Sequence, residues 1–383
     1  MMSARIPAPS LPPVAITLAI AAAILWWMMP FVVTDMDLFF VPWLGHIAAA
    51  GPVAAFARPF SNYAPGFLYF LAALTPLYGI IPAVTLIKLL CLAGTAALAF
   101  AVRHLLILLE VAQPNRAAAL VLALPSVLLN AGPIGQCDAF WAAPLVMALA
   151  AAISRRHASM LVWCGLALGF KVQAVLFAPF VLALLINRRV PFRLWSIAPA
   201  MFVATMLPAW AAGWPASDLA MIYLRQAVEY PNLSFNAPNI WAILQALPIG
   251  LPLVGVAFAV SIGATAGYIA RFSAMPLQGR GLIPAALLAA LVTTGLLPHM
   301  HERYFFLADV LALLLALVNR DRASWTIAIL VQAGSTLAVL GYLSGIAGLA
   351  MLGGVAMIVA TIRLARTLLK PAANDNPLMV RAI

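Results

Sequence analysis

The chain has 383 residues, of which 66% are hydrophobic and only 8% charged. Soluble globular chains carry about 25% charged residues, so a water-soluble domain is excluded. The net charge of +11 sits in short clusters between apolar runs: Arg155/Arg156, Arg188/Arg189/Arg193, Arg271/Arg280, Arg320/Arg322 and Arg363/Arg366/Lys370. That distribution is the signature of loops retained on the cytoplasmic side of a membrane, and no nucleic-acid partner is expected.

Taken in chain order, apolar stretches of about 20 residues recur at lengths suited to crossing a bilayer. They predict helices over 13–33, 62–81, 83–103, 116–131, 138–153, 158–170, 172–187, 195–213, 246–270, 281–298, 303–319, 324–342 and 346–366. Lipid offers backbone groups no partner, so spans of this kind are α-helical. The short alternating segments of a barrel are missing. The first run is longer than the core of a signal peptide and leads directly into further spans, so it is kept as a helix. After it, "LFFVPWLGHIAAAGPVAAFARPF" mixes aromatic and small residues with Pro and Gly. This segment predicts one or two short helices lying in the membrane interface. No polar interval is long enough for a separate domain. The expected fold is all-α and polytopic, with about 11–13 transmembrane helices on the length criterion. It forms one membrane-embedded domain over 1–370 and a disordered tail over 371–383. Cys91, Cys137 and Cys164 have neither metal-ligand spacing nor a disulfide framework.

With the basic clusters on one side, residues 35–37, 136–138, 171–173, 214–241 and 298–303 fall on the other. One inconsistency remains. Three spans separate Asp35 from Gln136, although both ends belong to the same side, so either one of the three is re-entrant or a span is wrongly divided; Arg103 and Arg116, placed with the basic clusters, make 62–81 or 83–103 the suspect. Of the ten acidic residues, seven (Asp35, Asp37, Asp138, Asp218, Glu229, Glu302 and Asp309) fall on the side away from the basic clusters. Acidic residues contribute little to orientation, so topology alone does not require this bias. Ionisable groups at a membrane are costly and usually functional.

Six short stretches gather on that face: "TDMD" (34–37), "PFSNYAPGFLYF" (59–70), "GQCD" (135–138), "FKVQ" (170–173), "SFNAPNIW" (234–241) and "HMHERYFF" (299–306). Each has a plain structural reading beside a chemical one. Asp35 and Asp37 can cap an interfacial helix, or one can serve as a general base toward an acceptor hydroxyl. Lys171 can snorkel to the interface, or with Gln173 can meet a phosphate. Arg303 suits bidentate phosphate binding, with His301 beside it and Glu302 either holding Arg303 or binding a sugar hydroxyl. His299, His301 and Glu302 are zinc-ligand types, but their spacing is not that of a zinc motif. Gln136 and Asp138 can cap the next span, and Asn236 and Asn239 can belong to a proline-stopped turn. Alternatively these four, with Tyr63, His299 and Glu302, can bind sugar or acceptor, and Trp241 or Phe235 can stack on a sugar face. No Gly-rich phosphate loop is present, which argues against a nucleotide-sugar donor.

The order of "SNYAPGFLYF", "GQCDAFW", "NAPNIW" and "HERYFF" resembles the GT-C glycosyltransferases, in particular bacterial relatives of the GPI mannosyltransferase II group. More distantly it is similar to the dolichyl-phosphoglucose-dependent glucosyltransferases. The resemblance spans about residues 13 to 320. It implies an inverting hexosyltransferase, with mannose favoured, that takes sugar from a polyprenyl-phosphate donor and passes it to a lipid-linked or envelope glycan acceptor. It places the catalytic carboxylate in the first outer loop, at Asp35 with Asp37 second. It further implies a bacterial inner-membrane enzyme whose site faces the periplasm. No cofactor is expected, and a divalent metal is the less favoured alternative. The rival reading is a transporter or lipid flippase, but the halves show no internal repeat and the polar residues avoid the midplane.

Overall fold

The computed structural model describes residues 11–228, 232–248 and 253–369. Glu229 and the tail expected over 371–383 lie outside the described residues. The helices are α1 (Val14–Met28), α2 (Val41–Ala50), α3 (Pro65–Ala73), α4 (Ala83–Leu108), α5 (Pro114–Leu122), α6 (Pro125–Leu129), α7 (Asp138–Ile153), α8 (His157–Phe170) and α9 (Ala178–Ile186). They continue as α10 (Ile197–Ala211), α11 (Ala216–Val228), α12 (Ile240–Gln245), α13 (Leu253–Ser273), α14 (Leu282–Leu296), α15 (Phe306–Asn319), α16 (Arg322–Ser344) and α17 (Ala347–Leu369). Two short parallel strands, β1 (Ser234–Phe235) and β2 (Met300–His301), pair Ser234 with Met300 and Phe235 with His301.

The protein is an all-α polytopic membrane protein. Among the described residues six helices are long and apolar enough to cross a bilayer, and a seventh crossing results if α5 and Pro125–Ile134, bent by 47°, act as one. Seven further apolar helices have 10–17 residues. The expectation of about 11–13 full spans is therefore not met helix by helix, because apolar run length overstates helix length. The run over 172–187 opens with a tight 3₁₀ turn, Val172–Phe177, before α9. α7 has 16 residues, a rise of about 24 Å against a hydrocarbon core of about 30 Å.

Of the two candidates for the odd span, 83–103 is a full-length apolar helix extended to Leu108, whereas α3 has nine residues and continues into a 3₁₀ turn, Thr75–Leu77, so that Pro65–Leu77 is one of the shorter apolar helices. Arg116 Nη1, at the start of α5, donates to Leu11 O at 3.2 Å, and Gln136, past the bend, meets Asp35. The bent pair therefore connects the same two levels as α1.

The core is apolar, as in a soluble protein, but much of the outer surface is apolar as well. Every residue of α15 from Phe306 to Val318 is buried, as is most of α14. Helices apolar on all faces belong at the centre. The outer helices expose large apolar side chains instead, among them Trp26 and Trp27 of α1 and Ile262 of α13. Small residues let backbones approach where the site is built. A Cβ on Gly66 would stand 2.3 Å from Gly169 O, so α3 can press on the end of α8 only through a glycine there.

Candidate active site

Asp35 follows α1, which stops where Pro30 removes the amide that would continue it. The chain then turns, Met36 N donating to Val33 O at 2.9 Å, and enters a π-helical turn, Met36–Phe40. A second π-helical turn, Asn130–Ile134, precedes Gln136. Turns of this type are rare and are frequent at functional sites. Lys171 stands in extended conformation at the break between α8 and the following 3₁₀ turn. Arg303 lies between β2 and α15.

These residues converge. Arg303 Nη2 and Gln136 Nε2 both donate to Asp35 Oδ2 at 2.9 Å. Arg303 Nη1 donates to Glu302 Oε1 at 2.5 Å, and its Nε stands 4.0 Å from Asp138 Oδ2. Lys171 Nζ donates to Asp138 Oδ1 at 2.6 Å and to Gln136 Oε1 at 3.2 Å, and lies 5.2 Å from the centre of the Tyr63 ring. Asp138 also accepts from Asn130 Nδ2 at 2.7 Å and Trp141 Nε1 at 2.9 Å. Tyr63 Oη donates to Gln136 Oε1 at 3.5 Å. Three carboxylates and two cations thus form one continuous network, in which Gln136 bridges Asp35 to Lys171.

The network floors a narrow pocket whose free interior is only about 20 Å³. Asp35, Gln136, Arg303 and His301 form its polar part. Phe39, Phe40, Trp43, Tyr63 and Tyr304 form its aromatic walls, and Asn62 and Gln226 complete it. Asp35 is the accessible carboxylate, its side chain 24% exposed against 1% for Asp138 and Glu302. Burial raises the Glu302 carboxyl, but Arg303 and His301 outweigh it and hold the group down at about 2. Burial also opposes the Arg303 charge, yet Glu302 and Asp35 push its pKa well above the ordinary value. Among the described residues no three His, Cys, Asp or Glu side chains group as metal ligands.

Of the residues expected at the site, Asp35, Tyr63, Gln136, His301 and Arg303 line the pocket. Others stand elsewhere. Asp37 is exposed and outside the lining, pointed away by the π-helical turn. Asp138 and Lys171, at 0% and 2% exposure, form a closed pair behind the floor, so neither presents a free oxygen or ammonium to a ligand. Glu302 is buried against Arg303. Gln173 is buried in the 3₁₀ turn after Lys171. Asn239 caps α12, its Oδ1 accepting from Ala242 N at 3.0 Å. Asn236 bridges to His301 through backbone, while Trp241 Nε1 donates to Leu296 O at 2.6 Å. The His299 ring meets Asn232 O at 2.7 Å, away from the lining. Phe235 stacks on His301, with ring centres 4.8 Å apart and planes 11° apart, and so supports a pocket residue rather than a sugar.

Sequence reasoning missed Asn62, Gln226 and the Phe39–Phe40–Trp43 wall. It also passed over Lys88, although a charge in the middle of an apolar run is itself a signal.

Residues 46–187 match the model of a family described as alpha-(1->6)-mannopyranosyltransferase, N-terminal domain. The chain is a mannosyltransferase-like glycosyltransferase. The match covers less than half of the chain and contains Tyr63, Gln136, Asp138 and Lys171, but neither Asp35 nor Arg303. It supports a mannosyltransferase of the GT-C type acting between a sugar donor and a glycan acceptor, in place of the transport reading. None of the curated proteins compared with the chain matches it.

Proposed function

We propose that this glycosyltransferase moves mannose from a polyprenyl-phosphate donor to a hydroxyl of a glycan acceptor, with inversion, and that Asp35 is the general base. The observation that carries the reading is the placement of Asp35. It is the accessible carboxylate of a small aromatic-walled pocket, and it shares that pocket with the Arg303 guanidinium.

In the proposed step the acceptor oxygen attacks the anomeric carbon and Asp35 takes its proton. The bond from that carbon to the phosphate oxygen breaks, and the polyprenyl phosphate leaves with the electron pair and a second negative charge. Arg303 and His301 face this charge. Lys171, paired with Asp138 behind the floor, acts through its hydrogen bond to Gln136. Charge that grows during the reaction is stabilised more in the transition state than in the ground state, which is what accelerates the step. Direct displacement needs one base rather than the paired carboxylates of a glycosidase. Tyr63, Trp43, Asn62 and Gln226 are the proposed sugar contacts.

The wording of the matched family favours the 6-hydroxyl of an α-mannoside as acceptor, and an α-linked product formed with inversion requires a β-linked donor. Residues 1–370 are taken as one catalytic domain in a bacterial inner membrane, with α2 in the interface and the pocket facing the periplasm. No cofactor is assigned a step. Kinship with the GPI mannosyltransferase II group is proposed on the order of "SNYAPGFLYF", "GQCDAFW", "NAPNIW" and "HERYFF".

The test supplies purified enzyme in lipid nanodiscs with polyprenyl-phosphate mannose and an alkyl α-mannoside. Transfer by the wild type that disappears in Asp35→Asn, with donor binding retained, is expected. Undiminished transfer in Asp35→Asn overturns the reading.

A further inference from the structure

Lys88 lies in the second turn of α4, a 26-residue apolar helix, and is 0% exposed. An ammonium in such a helix is costly to insert into a membrane. Its surroundings show what offsets that cost. Nζ donates to Met28 O at 3.3 Å, to Met29 O at 2.9 Å and to Phe31 O. Met28 O is the last carbonyl of α1, Met29 O belongs to its C-cap and Phe31 O to the turn that follows, so the cation sits at the negative end of the helix dipole. All three N–H groups of the ammonium are used.

The capped turn ends four residues before Asp35. The same helix also grips the other arm of the site. Cys91, one turn beyond Lys88, donates through Sγ to Gly135 O at 3.3 Å, immediately before Gln136. Gly135 has φ +63°, and a Cβ there would lie 2.2 Å from Met36 Cε and 3.5 Å from Lys88 Cγ. Met36, fully buried, therefore packs over Gly135 beside the Lys88 stem. α4 thus holds the turn that delivers Asp35 and the turn that delivers Gln136, and these two side chains then bond to one another at 2.9 Å.

We infer that Lys88 is a positioning residue for the transfer reaction: by tying the last carbonyls of α1 it fixes the arm that carries Asp35 against Gln136 and Arg303. Lys88 is absent from the pocket lining and acts only through that arm. The inference rests on the reading of Asp35 as the base.

The test compares wild type, Lys88→Met and Asp35→Asn as full-length protein in nanodiscs, with polyprenyl-phosphate mannose and an alkyl α-mannoside. For Lys88→Met the expected result is kcat per folded molecule lowered at least tenfold with the donor KM within about twofold, and partial recovery in Lys88→Arg. Amide exchange read by mass spectrometry is expected to rise at least tenfold over residues 31–36 while α7 stays protected. A merely structural lysine would lower the folded fraction and loosen α7 together, with kcat per folded molecule unchanged, and that result overturns the inference. If Lys88→Met does not accumulate, Lys88→Gln, which keeps two N–H donors, decides by the same comparison. Loss of transfer in Asp35→Asn with unchanged kcat and exchange in the Lys88 variant removes only the positioning role. Full transfer in Asp35→Asn removes both readings.

Discussion

Arg303 and Asp35, separated by 268 positions in sequence, meet at 2.9 Å. The contact closes a network that runs from Glu302 through Arg303, Asp35 and Gln136 to Lys171 and Asp138. Only the middle of this network, Arg303, Asp35 and Gln136, opens on the pocket, while both ends are buried, which gives each charged residue a different expected phenotype.

Asp35→Asn is expected to lower kcat by roughly 10²- to 10⁴-fold, the range for removal of a general base. Asp37→Asn, whose side chain is exposed and outside the pocket, is expected to lose less than about threefold. Initial rates of mannosyl transfer check the pair. Equal losses in both variants would refute the assignment of the base.

Lys171 and Asp138 should behave as a buried ion pair. Removing either partner alone leaves an uncompensated charge, at a cost of about 3–5 kcal/mol. Replacing both with apolar residues, as in Lys171→Met with Asp138→Leu, is expected to recover most of that stability. A double-mutant cycle on thermal unfolding measures the coupling, and additive single losses would contradict it.

Arg303→Gln is expected to remove transfer and to destabilise the fold, because Glu302 then stays buried without its cation. Adding Glu302→Gln should restore stability and leave transfer absent. Recovery of transfer in the double variant would show that Arg303 only neutralises Glu302.

Glu302 sets an acid limit. Its carboxyl is held at about 2, below the ordinary value of 4.5. A group whose folded pKa is depressed contributes its stability fully above the unfolded value and loses it as pH falls through the folded one. The contribution, a few kcal/mol by linkage, is therefore expected to fade between about pH 4.5 and 2. The unfolding midpoint followed across that window should fall more steeply in wild type than in Glu302→Gln.

Much of this was readable from the residues in order. The apolar runs located nearly every helix, since hydrophobic length reports directly on burial in lipid. "TDMD", "GQCD" and "HERY" pointed to Asp35, Gln136 and Arg303 because charges beside such runs are costly and few. Lengths were less legible. A run of apolar residues reads the same whether it is one helix or, as at 172–187, a 3₁₀ turn followed by a short helix. The ranking of Asp35 over Asp37 came from the family resemblance and not from the residues themselves, since the two are set apart by a π-helical turn in which Met36 packs over Gly135.

By itself the sequence determined the solvent of this protein, its all-helical architecture and the set of residues available for chemistry, because these follow from composition and from local spacing along the chain. The tertiary structure alone decided which of those residues face the pocket. Lys171 and Asp138 neutralise each other behind the floor, Asn239 caps a helix, and Asp35 stays accessible beside Arg303. Partner choice among buried charges depends on distance in space, and contacts that join residues 35, 136, 171 and 303 exist only after the helices have packed.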